Sequence, residues 1–233
     1  MLELFPEGFE ETTRGEDVEL AAYTDFAGEE RLWHAFGGVR SSDVEAGWEN
    51  RWRSFHRPVR IGPLWIGPPW EAVPADATCV VVDPGQAFGT GSHATTRLCL
   101  ELLLDRPGGS LLDVGCGSGV LAVAAAKLGY VPVTAVDVDP LAVEATERNA
   151  AANGVDVAVS LVDGGSVSPA RADTVVANIL LDVVTDLAER IDCERLITSG
   201  YLASDSLEPS RFRLVRRVGD EGWAADLWEA ATK

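Results

Sequence analysis

The sequence predicts an α/β protein: a doubly wound, mostly parallel sheet that ends in an antiparallel hairpin, preceded by a small α+β unit. Three observations carry this. From about residue 94, short β-branched runs alternate with longer helical runs, the pattern of a parallel sheet covered on both faces. Right-handed crossovers then make the sheet doubly wound. The tail FRLVRRVGDEGWAADLWEAA sets two strand-like runs around GDEG, which reads as a hairpin closing a sheet edge. Ahead of both regions, residues 1–45 form short mixed pieces that fit neither pattern.

Taken in order, LELF and DVELAAYT read as strands, GEERLWHAFG as a short helix and GVRSSDVEA as a strand edge. AGWENRWRSFHRPV places Trp48, Trp52 and Phe55 at helical spacing before Pro58, an amphipathic connector over 46–57. IGPLWIGPPWE allows only short, interrupted strands. HATTRLCLELLL is then a helix, SLLDV a buried strand, VLAVAAAKLG a helix and VPVTAVDVD a strand. PLAVEATERNAAANG is a helix, VDVAVSLVD and ADTVVANI are strands, LLDVVTDLAERI is a helix and ERLITSG a strand. One sheet is expected over 58–233, and the expected units are 1–45, the connector 46–57, and 58–233.

With 233 residues, 46% hydrophobic and 24% charged, the composition is that of an ordinary globular chain, which excludes disorder, collagen and coiled coil as whole-chain descriptions. The longest apolar run, Val120 to Ala126, is too short to cross a bilayer. The start, MLELFPEGFEE, has acids where a signal peptide needs bases, so a soluble cytoplasmic protein is expected, with no membrane partner. Cys79, Cys99, Cys116 and Cys193 have no two-residue pairing, and His34, His56 and His93 are far apart, so no metal site is expected. Net charge is −18, and residues 1–30 hold ten acids against the single base Arg14. Such a surface repels nucleic acid and attracts a basic protein.

The strongest motif is LLDVGCGSGVLAVAAAKLG. Gly115, Gly117 and Gly119 fall between a strand and a helix, where they permit a tight turn and let a ligand approach the backbone. The helix N-terminus supplies free N–H groups. Asp113 ends the preceding strand. Asp137 ends the next one, 18 residues after Gly119, where an acid can accept hydrogen bonds from the vicinal hydroxyls of a ribose. Asp139, directly before Pro140, suits a helix cap. A nicotinamide dehydrogenase would carry a glycine at the sixth position of the loop, and here that position is Val120. The pattern DxGxGxG is instead similar to that of class I S-adenosylmethionine methyltransferases, as are ANGV and Asn178 at the end of the fourth strand.

PPWE, DPGQAFGTGSHATTRLCLELL, LDVGCGSGVLAVAAAKLG, VDVDPLAV, ERNAAANGV, VVANIL and SGYL occur in this order. Together, over about residues 44–233, they resemble the ribosomal protein L11 methyltransferase family. The resemblance implies a Rossmann-like methyltransferase sheet, S-adenosylmethionine as cofactor and an amino group of a large-subunit ribosomal protein as acceptor. It implies cofactor contacts at Thr96, Gly115, Asp137 and Asn178, with Asn178 also beside the chemistry. Asp113, Gly117 and Gly119 belong to the same glycine loop. The DPGQAFGTGSHATT block, with Phe88 and Gly89, would wrap the methionyl end and exclude water; Ser92, Thr95 and Thr96 are candidates to cap the helix that follows. Gln86 departs from the family's usual apolar residue. Residues 1–45 would be a shortened form of the family's ferredoxin-like substrate-recognition domain. A methyltransferase acting on another protein or on a small molecule is the alternative, and a nicotinamide-dependent oxidoreductase a further one.

Overall fold

The computed structural model describes residues 10–14, 17–21, 57–83, 91–162 and 171–231, together with Leu32, Ala35 and Phe36. The chain divides into two units, Met1–Arg51 and Trp52–Lys233. In the first, β1 (Glu10–Arg14) and β2 (Asp17–Ala21) pair antiparallel, with Arg14 opposite Asp17. The strand expected from residue 17 is there, whereas β1 was not anticipated. Leu32, Ala35 and Phe36 are helical, inside the expected short helix. The expected strands over LELF and GVRSSDVEA, and the connector over 46–56, lie outside the described residues.

The second unit is built on two sheets rather than the one expected. β3 (Val59–Ile61), β4 (Leu64–Gly67) and β5 (Thr78–Val81) form a separate three-stranded sheet, antiparallel between β3 and β4 and parallel between β4 and β5. Glycine and proline punctuate this stretch, and its strands run only three or four residues. Side chains on a neighbouring helix hold it in place. Asn153 accepts from the Val81 N–H at 2.8 Å and donates back to the Val81 carbonyl at 2.6 Å, while Asn149 accepts from the Asp83 N–H at 3.1 Å.

The main sheet contains β6 (Leu111–Val114), β7 (Val133–Asp137), β8 (Ala158–Leu161), β9 (Ala172–Asn178), β10 (Cys193–Leu202), β11 (Phe212–Asp220) and β12 (Trp223–Ala230). Its order is β11-β12-β10-β9-β6-β7-β8. The strands from β10 to β8 are parallel to their neighbours, and β12 runs antiparallel between β10 and β11. The tail is therefore the antiparallel hairpin expected, and its second strand lies inside the sheet while β11 forms the edge.

The helices are α1 (Ala94–Leu104), α2 (Val120–Lys127), α3 (Pro140–Asn153) and α4 (Leu181–Arg190). Strand residues alternate between two cores, as a sheet covered on both faces requires. Leu111, Val176 and Ile197 join the core under α1 and α2, whereas Leu112, Val175 and Leu196 join the core under α4. Burying a Leu, Ile or Val side chain contributes about 1.5–3 kcal/mol, so the register is strongly determined on each face. Exposed ion pairs fasten the hairpin to α1: Arg216 bonds Asp105 at 2.8 Å and reaches Glu101, and Arg97 meets Glu221 at 3.0 Å. Among the described residues, no helix is long and apolar enough to cross a membrane.

Candidate functional site

A cleft of about 540 Å³ opens at the C-terminal ends of β6, β7, β9 and β10, the place where open α/β sheets bind ligands. Its first end is made by the β6–α2 loop and the end of β7. Gly115 has a φ of +74°, and a Cβ there would sit 2.4 Å from Ile179 Cγ2, so only glycine fits the loop against its neighbour. Asp137 shapes the same turn. Its Oδ2 accepts from the Gly117 N–H at 2.9 Å and its Oδ1 from the Asp139 N–H at 3.0 Å. The carboxylate still lines the cleft beside Val136, Val138 and Val162. Asp139 does what its place before Pro140 predicts, capping α3 by accepting from the Leu141 N–H at 2.9 Å.

The second end is assembled from four separate segments. Asn178, at the end of β9, donates from Nδ2 to Thr96 Oγ1 at 3.4 Å, which leaves Oδ1 as the amide atom available to accept. Ile179 and Leu180 follow it along the wall. Gly200 interrupts β10 at a bulge, with φ +101°, and a Cβ there would lie 2.2 Å from the Ile179 carbonyl oxygen. Trp223 begins β12 and meets His93 edge to face, ring centroids 5.1 Å apart. His93 is the N-cap of α1, a role expected of Ser92, Thr95 or Thr96. The imidazole takes it because its Nδ1 lies 2.7 Å from Thr95 Oγ1 and accepts from the Thr95 N–H.

Of the residues singled out in the sequence, Gly115, Gly117, Asp137 and Asn178 line the cleft. Thr96 stands behind Asn178 as its hydrogen-bond acceptor, and the neighbouring Thr95 reaches the wall instead. Gly119 is the N-cap of α2, packed on Thr146. Asp113 lies beneath the loop, 1% exposed, its Oδ2 accepting from the Ala122 N–H at 3.1 Å and its Oδ1 without a hydrogen-bond partner. Burial raises its pKa to about 7; the Ala122 N–H opposes that rise, and the charge of Asp137 adds to it. Asp113 thus holds the loop onto α2 from behind. Phe88 and Gly89, like Gly85 and Gln86, lie outside the described residues.

Several contributors were not singled out as site residues. Asn149, in ERNAAANG, donates to the Ser118 carbonyl at 2.8 Å and so fixes the glycine loop from α3. Gly200 and Trp223 carried only weak signals: a glycine closing a buried strand in SGYL, and an aromatic residue just after the hairpin turn. Two of the four cysteines stand close to the site but are chemically quiet. Burial pushes Cys116 up to about 12, and Cys99 also well above the usual thiol range.

The lining fits S-adenosylmethionine. Asp137 offers a carboxylate for vicinal hydroxyls, Val136, Val138 and Val162 offer apolar surface for a purine, and Thr95 and Asn178 offer polar groups for the amino acid end. The strand order, with antiparallel β12 set between β10 and β11, and the glycine loop and acid on β6 and β7 define a class I methyltransferase fold. The family model described as ribosomal protein L11 methyltransferase (PrmA) matches residues 13–227, and the chain belongs to that family. The crystal structure of a ribosomal protein L11 methylase from Lactobacillus delbrueckii subsp. bulgaricus superposes with a TM-score of 0.66 at 30% identity, covering 76% of this chain and all of that one. A ribosomal protein L11 methyltransferase of Symbiobacterium thermophilum is 40% identical over 77% of this chain and 60% of its own. That of Pelotomaculum thermopropionicum is 50% identical over 62% of this chain and 49% of its own. The chain thus spans about half to three-fifths of the length of these curated relatives.

Proposed function

We propose that this chain transfers methyl groups from S-adenosylmethionine to amino groups, lysine side-chain or N-terminal, of a ribosomal protein of the large subunit. The observation that carries the reading is one cleft holding a ribose-type acceptor, Asp137, at one end and an amide acceptor, Asn178, at the other. When bound, the cofactor supplies an electrophilic methyl group on a sulfonium. The residues of the chain do the rest. Asp137 and the Gly115–Gly117 backbone hold and orient the nucleoside part. Asn178, steadied by Thr96, accepts a hydrogen bond from the incoming amine through Oδ1 and points its lone pair at the methyl group. Such positioning can supply most of the acceleration of an in-line displacement. The amine must arrive neutral, since an ammonium has no lone pair, and its proton leaves to solvent.

Residues 1–45 form the substrate-capturing part in this reading. Their acids attract a basic protein surface and act mainly on the rate of encounter, an effect that salt weakens. A cytoplasmic location accords with such a substrate. The test incubates the full chain with S-adenosylmethionine and purified ribosomal protein L11 and follows methyl addition by intact-protein mass spectrometry. Methylated lysine or N-terminal residues are expected; an unmodified protein, with cofactor binding demonstrated in parallel, rejects the substrate. Asn178→Ala is expected to lower turnover about 100-fold while cofactor affinity changes only a few-fold, as expected when a positioned group at the reacting centre is lost. Retained turnover assigns Asn178 to the strand end alone.

A further inference from the structure

We propose that Trp223 determines how many methyl groups one amine receives, by holding the methylated amine at the transfer end of the cleft. This rests on the amine-methylation reading above. The turn that presents Trp223 is unusual. Glu221 and Gly222, its two central residues, both have positive φ, 51° and 82°, the pairing of a tight type I′ hairpin. A glutamate in that conformation is uncommon, and here Arg97 holds it from α1 at 3.0 Å while also bonding Asp220. His93, from the cap of the same helix, meets the indole edge to face. The hairpin tip is therefore fastened at two points to α1, and the indole is presented to the wall that Asn178 and Gly200 also form.

The chemistry at that wall changes with each transfer. The amine lone pair forms the new N–C bond, the C–S bond breaks with its electron pair passing to sulfur, and the nitrogen becomes a methylammonium. A proton must then leave before the next transfer. Every round replaces one N–H by a methyl group, so the hydrogen bonds that Asn178 can accept dwindle while apolar surface and cationic character persist. Among the described residues lining the cleft, Asp137 is the one carboxylate, and it lies at the ribose end. An aromatic ring is the group that continues to attract a methylated cation after its N–H groups are gone. Ile179 and Leu180 add apolar contact for the methyl groups.

The experiment compares wild type, Trp223→Phe, Trp223→Leu and Arg97→Gln on ribosomal protein L11, resolving mono-, di- and trimethylated products over time by mass spectrometry, with cofactor affinity by calorimetry and melting temperature in parallel. Trp223→Leu is expected to accumulate monomethylated product, with later transfers slowed about 10-fold, equivalent to ~1.4 kcal/mol. The first transfer passes the same wall and is expected to slow as well, but less than the later ones, so the ratio of later to first transfer rates is the readout. Trp223→Phe should keep the wild-type distribution. Arg97→Gln keeps the ring but loosens the tip, so it should show the same shift at smaller size, and it decides the matter if Trp223→Leu does not fold. An unchanged product distribution in the folded variants overturns the proposal. So does a wild type that stops at one methyl group, or a Trp223→Leu defect that follows lost cofactor affinity. A wild type that binds cofactor but modifies no amine overturns the underlying methylation reading instead.

Discussion

At one end of the cleft, the glycine loop and the Asp137 carboxylate come from a single stretch, residues 111–137, folded as strand, loop, helix and strand. At the other end, His93, Asn178, Gly200 and Trp223 come from four elements spread over more than half of the chain. The first end is held by bonds within its own stretch, such as Gly117 N–H to Asp137, and the second by contacts between distant segments, such as Gly200 on the Ile179 backbone and His93 on Trp223. The difference teaches where each end is vulnerable. At the local end a change to Asp137 disturbs the ribose acceptor and the turn together, within one stretch of chain. The assembled end cannot move one wall without moving Asn178, the residue before Ile179.

The largest effect is therefore expected at Gly200. In Gly200→Ala the new Cβ meets backbone, the Ile179 carbonyl oxygen at 2.2 Å, and the residue must also hold φ +101°. Strain of this kind costs about 1–3 kcal/mol before any backbone shift. Calorimetry should show a lowered melting temperature, and turnover should fall more than ~100-fold, the scale on which a displaced catalytic geometry acts. A variant with wild-type stability and turnover would erase the contrast between the two ends. Asp137→Ala probes the local end. A charge-assisted hydrogen bond contributes about 1.5–3 kcal/mol, so cofactor affinity should weaken at least roughly 10- to 100-fold, because the variant also releases the Gly117 and Asp139 N–H groups that the carboxylate holds in the turn. Unchanged affinity by titration would remove the ribose contact from this reading.

A subtler test concerns Asp113 beneath the loop. Its pKa is raised to about 7 by burial, so the folded state keeps a proton that the unfolded chain releases near the ordinary carboxylate value. The folded state binds more protons across that interval, and stability contributed by this group falls as pH climbs from about 4 to about 7. Asp113→Asn keeps an oxygen for the Ala122 N–H and should flatten that slope in urea titrations at several pH values. An unaltered slope would show that Asp113 ionises freely in the folded protein. The smallest effect is expected on the hairpin flank, where Arg216→Gln removes exposed pairs with Asp105 and Glu101. Such pairs contribute about 0–1 kcal/mol each, so the melting temperature should shift by only a few degrees and less at high salt. A larger loss would mean that the hairpin depends on this flank rather than on its buried strand β12.

Much of the fold was legible in the residues because periodicity reports burial directly. The alternating runs from residue 94 anticipated each helix and strand of the main sheet, and two strands around GDEG anticipated the hairpin. The separate sheet β3–β5 was missed: Gly/Pro-rich strands carry no sign of which sheet they join, and here amide bonds from Asn149 and Asn153 decide it. The resemblance assigned Thr96 to the cofactor; in the fold its hydroxyl accepts from Asn178, and the neighbouring Thr95 lines the cleft, a pairing across 82 residues that the sequence does not display.

What the sequence determined by itself was the set of elements and the local end of the site. Hydrophobic period, glycine spacing and an acid at a strand end are all expressed within some thirty residues, and their geometry follows from the backbone. Only the tertiary structure decided the transfer end, because its contributors share no sequence pattern. His93 capping α1, Gly200 at a strand bulge and Trp223 after a type I′ turn become one wall only when the parallel crossovers and the inserted β12 bring those three points to the same edge of the sheet, where Gly200 packs on Ile179 and the His93 and Trp223 rings meet edge to face.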